Sequence, residues 1–212
     1  FMAEAGCTVA HNPISNLKIG SGIMPFRRLR DHGIPICLGS DEATVDDTAN
    51  MWAVAKVAGL IHKIADYDYR NWPKAPEILD ALTRGGARSI RYEGSLGVLA
   101  PGYNADIILI DLNSINFTPL NDIRRQLVFC ENGSSVVLTM VAGEVVARKG
   151  RVLKVDEEEI KVEARELMKE YRQELNKTEE WANRLYPYYN KMYFMAAERE
   201  VGMNRWAGPM NP

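Results

Sequence analysis

Two stretches of this chain end in residues that can do chemistry. Cys7-Thr8-Val9-Ala10 runs into His11-Asn12-Pro13-Ile14-Ser15-Asn16, and Ile34-Pro35-Ile36-Cys37-Leu38 runs into Gly39-Ser40-Asp41-Glu42. Each is a short apolar run cut off by polar and ionisable residues, the pattern of a buried parallel strand that delivers side chains at its C-terminal tip. A carboxylate placed there is costly unless something compensates it, and a metal ion is a common compensator. Asp41 is therefore the leading candidate, with a helix N-cap or an acid satisfied by backbone N–H groups as its structural alternative. His11 faces the same mouth, as a hydrogen-bonding wall residue or as a ligand. Asn12, Ser15 and Asn16 suit Asx- and ST-type turns, and equally suit hydrogen bonding to a polar ring.

The elements that must position these residues read as one strand–helix unit and the start of another. Residues 1–6 close a helix with Gly6 as its stop, so the expectation is a piece of a larger fold. Pro13 ends the first strand, residues Ile14 to Gly22 read as a polar loop, and Pro25 opens a helix that Gly33 ends. Beyond a polar loop from Glu42 to Thr48, Met51, Val54, Ala55, Ala58, Ile61 and His62 have helical spacing. Pro76 to Arg88 resumes as a helix in which Gly85-Gly86 permit close packing. His32, at a helix end, and His62, on a helix face, are read as packing or surface residues. A catalytic zinc keeps about three protein ligands plus water, and the three histidines here contain no His-x-His.

From Glu93 onward the pattern changes to short apolar runs separated by glycines: Ala105 to Leu112, Val128 to Cys130, Val136 to Val141, Glu144 to Arg148 and Arg151 to Val155. That spacing predicts antiparallel hairpins in a small sheet or sandwich. Asp156 with Glu157, Glu158 and Glu159 starts a helix whose stripe runs through Ile160, Ala164, Leu167, Tyr171 and Leu175. The remaining tail, from Thr178, is dense in aromatic residues and is expected to pack on its own body or on another subunit. The divisions are residues 1–93, 94–155 and 156–212.

The 212 residues are 46% hydrophobic and 25% charged, with a formal net charge of −2. There is no basic footprint for nucleic acid, no polybasic surface and no apolar run of membrane-spanning length, so neither partner is expected. Cys7, Cys37 and Cys130 are an odd set without metal-type spacing and read as small buried hydrophobes in a reducing compartment, which places the chain in the cytoplasm.

His11-Asn12-Pro13-Ile14-Ser15-Asn16-Leu17-Lys18, Gly20-Ser21-Gly22-Ile23 and Leu38-Gly39-Ser40-Asp41 together resemble the metal-dependent amidohydrolase superfamily. The likeness is to the cytosine and guanine deaminase group, with its S-adenosylhomocysteine/methylthioadenosine deaminases and triazine hydrolases. A third segment, Gly94-Ser95-Leu96-Gly97 through Pro101-Gly102-Tyr103-Asn104-Ala105-Asp106, is similar to the passage from barrel to β-sandwich in those chains, and the likeness covers roughly residues 1–165. The resemblance implies an α/β fold: strands 7 and 8 of a (β/α)8 barrel, part of a small β-sandwich, and a helical tail. It implies a divalent metal, zinc with iron as the alternative, held by Asp41 and by upstream histidines outside this sequence. Asp41 would also pass a proton from the attacking water to the leaving group, with His11, Asn12, Ser15, Asn16 and Glu42 around a small heterocyclic substrate. Glu42 stands where these deaminases often have glycine, and would pair with a cationic substrate group or cap the next helix. The expected activity is hydrolysis of a ring C–N bond. The alternatives are a chlorohydrolase or amidase on a related ring, or a non-catalytic segment acting as an interaction module. A homo-oligomer, or association with the missing N-terminal portion, is the expected assembly.

Overall fold

The two apolar runs do become neighbouring parallel strands. In the computed structural model, which describes residues 1–199, β1 (Val9–His11) pairs with β2 (Ile36–Leu38), with His11 opposite Leu38. All three residues of β2 are buried, as an uninterrupted apolar strand requires. The chain reaches β1 through a helix-like turn: Cys7 N–H bonds to Met2 O and Gly6 N–H to Ala3 O, each at 3.1 Å, with Gly6 at φ +65°. This is the pair of hydrogen bonds of a glycine-closed helix end.

Both polar segments expected as loops contain short helices. Residues Pro13–Lys18 form α1, because Pro13 at the first helical position already has the φ that a helix needs. After α2 (Phe26–Asp31) and β2, a single turn, α3 (Ala43–Asp46), stops at Asp47 with φ +70°. Polar composition concealed both, since neither is long enough to show a periodic apolar face.

The longer helices cover the strand pair. Helix α4 (Met51–Ala65) is capped by the Asn50 side chain, which accepts from the N–H groups of Trp52 and Ala53, and it buries Val54, Ala55, Ala58, Gly59 and His62. Next come α5 (Ala75–Asp80), a π-helical turn at Ala81–Gly85 and α6 (Gly86–Ser89), one continuous helical stretch. Its Gly85 lies so close to β2 that a Cβ there would run into the carbonyl oxygen of Ile36. Arg27 of α2 grips Glu77 of α5 through two bonds of 2.9 and 2.8 Å. Phe26, Ile36, Leu38, Val54, Ala58 and Ile78 form the shared core.

The second half contains an antiparallel sheet, as expected. Strands β3 (Ile107–Ile110), β4 (Val136–Val141), β5 (Glu144–Arg148) and β6 (Arg151–Val152) lie in that order, with β3–β4 and β4–β5 antiparallel. The strand expected at Val128 to Cys130 is instead helix α7 (Ile123–Phe129). Asp122 caps it by accepting from Arg124 N–H and Arg125 N–H, and buried Val128 packs beside Gly59 of α4, where a Cβ would meet the Phe129 ring at 2.9 Å. A three-residue apolar run does not distinguish strand from helix. Cys130, just past α7, is exposed rather than buried; all three cysteines are free.

Phe1–Arg151 forms one compact unit and a second begins at Val152. In the second, Asp156 accepts from the N–H groups of Glu158 and Glu159 and starts α8 (Glu157–Ala197), laced by Glu158–Lys161, Glu166–Lys169 and Glu174–Lys177 pairs. The helix passes through Pro187, so the aromatic tail is helical to Ala197, with Trp181, Tyr186, Tyr188 and Tyr189 exposed. Trp206 lies outside the described residues. Among the described residues no helix is long and apolar enough to cross a membrane.

Candidate active site

The tips of β1 and β2 are stitched together by side chains. Ser15, in α1 and 1% exposed, donates its hydroxyl proton to Asp41 Oδ2 at 2.7 Å. The other carboxylate oxygen, Oδ1, accepts the Glu42 N–H at 2.9 Å. Asp41 sits at φ +65°, a left-handed conformation that aspartate tolerates better than most residues. Three residues along α1 from Ser15, Lys18 donates to Asp47 Oδ2 at 2.6 Å and to Thr44 O at 3.0 Å. Helix α1, after one strand, is thus latched to the segment after the other.

Asp41 is exposed, and its carboxylate keeps acceptor capacity, since two oxygens offer about four lone-pair directions. It fits as one metal ligand. Among the described residues no three His, Cys, Asp or Glu side chains come together to hold an ion, so Asp41 alone does not make a site.

His11 is 1% exposed and does not stand alone. Its Nε2 lies 3.1 Å from Nε2 of His62, on α4 and 6% exposed, and Phe26 packs against both rings. Burial, and then the neighbouring His62, push the His11 pKa down to about 3; burial pushes that of His62 down to about 4. Both rings are neutral near neutral pH. His11 Nδ1 is buried with no hydrogen-bond partner among the described residues.

Of the other sequence candidates, Asn12 places Oδ1, also buried and unpartnered, against Gly39, where a Cβ would collide with it. Asn16 serves through its backbone, whose carbonyl accepts Ser21 N–H at 2.8 Å. Glu42 holds the N-cap position of α3 without a side-chain cap bond to the helix backbone, and accepts from the hydroxyl of Thr44 in α3 at 3.4 Å. Ser15, expected against a ligand, spends its one proton on Asp41.

Two polar groups escaped sequence reasoning. His62 lies 51 positions from His11, and its helical spacing with Val54, Ala55 and Ala58 showed only a packing or surface place on a helix face. Asp46 is buried and accepts from Thr48 N–H, Thr48 Oγ1 and Ala49 N–H, fixing the turn after α3. An acidic residue followed two positions later by threonine was the available signal.

Known proteins are similar to this chain over most of its length. A 5'-deoxyadenosine deaminase of Methanococcoides burtonii is 35% identical over 160 residues, which are 76% of this chain and 36% of that protein. The crystal structure of an adenosine deaminase from Xanthomonas campestris with bound zinc superposes with TM-score 0.77 at 26% identity, over 81% of this chain and 39% of that one. An atrazine chlorohydrolase from Arthrobacter aurescens, complexed with zinc, gives TM-score 0.73 at 29% identity, over 78% and 37%. The chain therefore spans little more than a third of the length of these relatives. The amidohydrolase family model matches residues 1–146. With the parallel strand pair and its Asp41 tip inside that match, the chain belongs to the amidohydrolase family.

Proposed function

We propose that residues 1–93 supply strands 7 and 8 of a (β/α)8 barrel, as β1 and β2, and that the protein containing them is a metal-dependent aminohydrolase. In this reading residues 94–155 are a sandwich segment and 156–212 a helix and aromatic tail that joins copies or the N-terminal portion. The observation that carries the reading is the Ser15–Asp41 bond, which orients an exposed carboxylate at paired parallel strand tips. Asp41 would hold a divalent metal, zinc by likeness to the zinc-bound structures, together with upstream histidines. Such an ion lowers the pKa of a bound water towards neutrality. Asp41 would accept a proton from the attacking water and pass it to the departing nitrogen. Ser15 holds the carboxylate through its hydroxyl bond of 2.7 Å. The C–N bond of the ring carbon breaks, a C–O bond forms, and ammonia leaves.

The substrate class is a purine nucleoside of the 5'-deoxyadenosine, methylthioadenosine or S-adenosylhomocysteine type, by likeness to deaminases so named. A second reading, displacement of chloride from a triazine, is favoured by the atrazine chlorohydrolase likeness. The test is the full-length protein, with metal analysis and parallel assays for ammonia from 5'-deoxyadenosine and chloride from atrazine. Stoichiometric zinc with ammonia release is expected. A protein without zinc, or one that releases neither product, overturns the proposal.

A further inference from the structure

A hydrogen bond between two neutral imidazoles needs one ring to carry its proton on the shared nitrogen and the other to leave it bare. The His11 Nε2–His62 Nε2 contact at 3.1 Å therefore allows two tautomeric arrangements. If His62 donates, the remaining proton of His11 lies on Nδ1, a buried atom without a partner. If His11 donates, Nδ1 is a bare acceptor. A buried donor left unpaired is the rarer and costlier defect. Protonating both rings would place two positive charges 3.1 Å apart in an apolar setting made by Phe26 and β2, with no acidic side chain among the described residues bonded to either ring.

We propose that His62 is a positioning residue for the Asp41 mouth: it accepts the Nε2–H of His11 and so fixes both the tautomer and the orientation of that ring. His11 is the last residue of β1 and the next two residues, Asn12-Pro13, begin α1, which carries Ser15 to Asp41. A ring anchored from α4 thus holds the start of the segment that orients the carboxylate. The burial that keeps both rings neutral protects the arrangement near neutral pH. The effect on turnover rests on the aminohydrolase reading; the tautomer does not.

The test uses the full-length protein with 15N-labelled histidine, comparing wild type, His62→Gln and His62→Leu, with His11→Gln to assign the signal. Wild-type His11 should show a protonated Nε2 and a bare Nδ1, unchanged down to about pH 5. His62→Gln, whose amide oxygen can accept, keeps that pattern and loses about threefold or less in kcat. His62→Leu shifts the tautomer population and lowers kcat about tenfold with KM little changed. A wild-type His11 protonated on Nδ1, or a leucine variant with an unaltered His11 pattern, overturns the proposal. Should the leucine variant fail to fold, the wild-type and glutamine spectra decide. If the spectra agree and no substrate is turned over, the positioning stands and the assigned reaction falls.

Discussion

Ser15 and Asp41 are 26 positions apart in the chain and 2.7 Å apart at Oγ and Oδ2. That single bond joins the two strand-tip motifs, because Ser15 belongs to α1, which follows β1, and Asp41 to the loop after β2. The hydroxyl's only proton is committed to one carboxylate oxygen, while the Glu42 N–H occupies the other. Two donors from different directions hold the carboxylate plane, at a residue whose backbone is already fixed in a left-handed conformation.

Removing one of those donors should loosen the carboxylate without deleting it. Ser15→Ala in the full-length protein is expected to lower kcat about 10- to 100-fold with KM nearly unchanged, the scale of one bond to a charged acceptor. Asp41→Asn keeps the shape and one acceptor oxygen but cannot take a proton, so kcat should fall about 1000-fold or more. Steady-state kinetics on both variants checks the order; equal losses, or a serine variant worse than the asparagine one, would contradict the assigned roles.

The same carboxylate should matter for metal content. Zinc bound to the full-length protein is expected near one equivalent and should fall well below that in Asp41→Asn, with activity lost on chelation and restored by added zinc. Elemental analysis of both proteins, prepared identically, measures this directly. Full zinc occupancy in the variant would leave Asp41 outside the ligand set.

Acid should find the His11–His62 pair. Both rings are neutral in the folded chain, with pKa values pushed down to about 3 and about 4, while an unfolded histidine titrates near 6.5. Between those values the unfolded chain binds more protons, so stability is fully present above about pH 6.5 and is lost as pH falls towards 4 and then 3. Two such groups give a slope approaching about 2.7 kcal/mol per pH unit in that window. His62→Gln removes one of them and should roughly halve the histidine share of the slope. Denaturant midpoints from pH 7 to pH 4 in both proteins measure the difference; parallel curves would mean the pair does not titrate on unfolding.

How much of this could be read in advance differs from element to element. Asp41 and His11 were legible because an apolar strand that stops at an ionisable residue announces its own tip, and β1 and β2 are where those runs lie. Helix α4 was legible from its stripe, and α8 from its acidic first turn. Helix α7 was not, because Val128 to Cys130 has no period long enough to choose between strand and helix, and the deciding facts were the Asp122 cap and the space at Gly59. The His62 pairing was out of reach for a different reason. Helical spacing shows which face is buried, but a partner 51 residues away depends on how α4 lies across the β1 tip.

Gly85 and Gly86 make the sharpest test of the packing beneath the site, since they are adjacent, both helical in φ and ψ, and differ only in what surrounds them. A methyl group on Gly85 would meet the Ile36 carbonyl oxygen and lie 3.1 Å from the Cys37 Cα, both backbone atoms of β2 that cannot rotate away. A methyl group on Gly86 meets nothing within 4 Å. Gly85→Ala should therefore destabilise by about 2 kcal/mol or more, as overpacking against fixed atoms does. Gly86→Ala should stabilise by about 0.5–1 kcal/mol, because the unfolded chain loses freedom and the folded one loses nothing. Because β2 carries Asp41 three residues beyond its end, the Gly85 change should also lower turnover while the Gly86 change leaves it intact. Chemical denaturation and activity measured on the pair check both; a destabilised Gly86→Ala, or an unaffected Gly85→Ala, would show that the π-helical turn does not press on β2 as the structure has it.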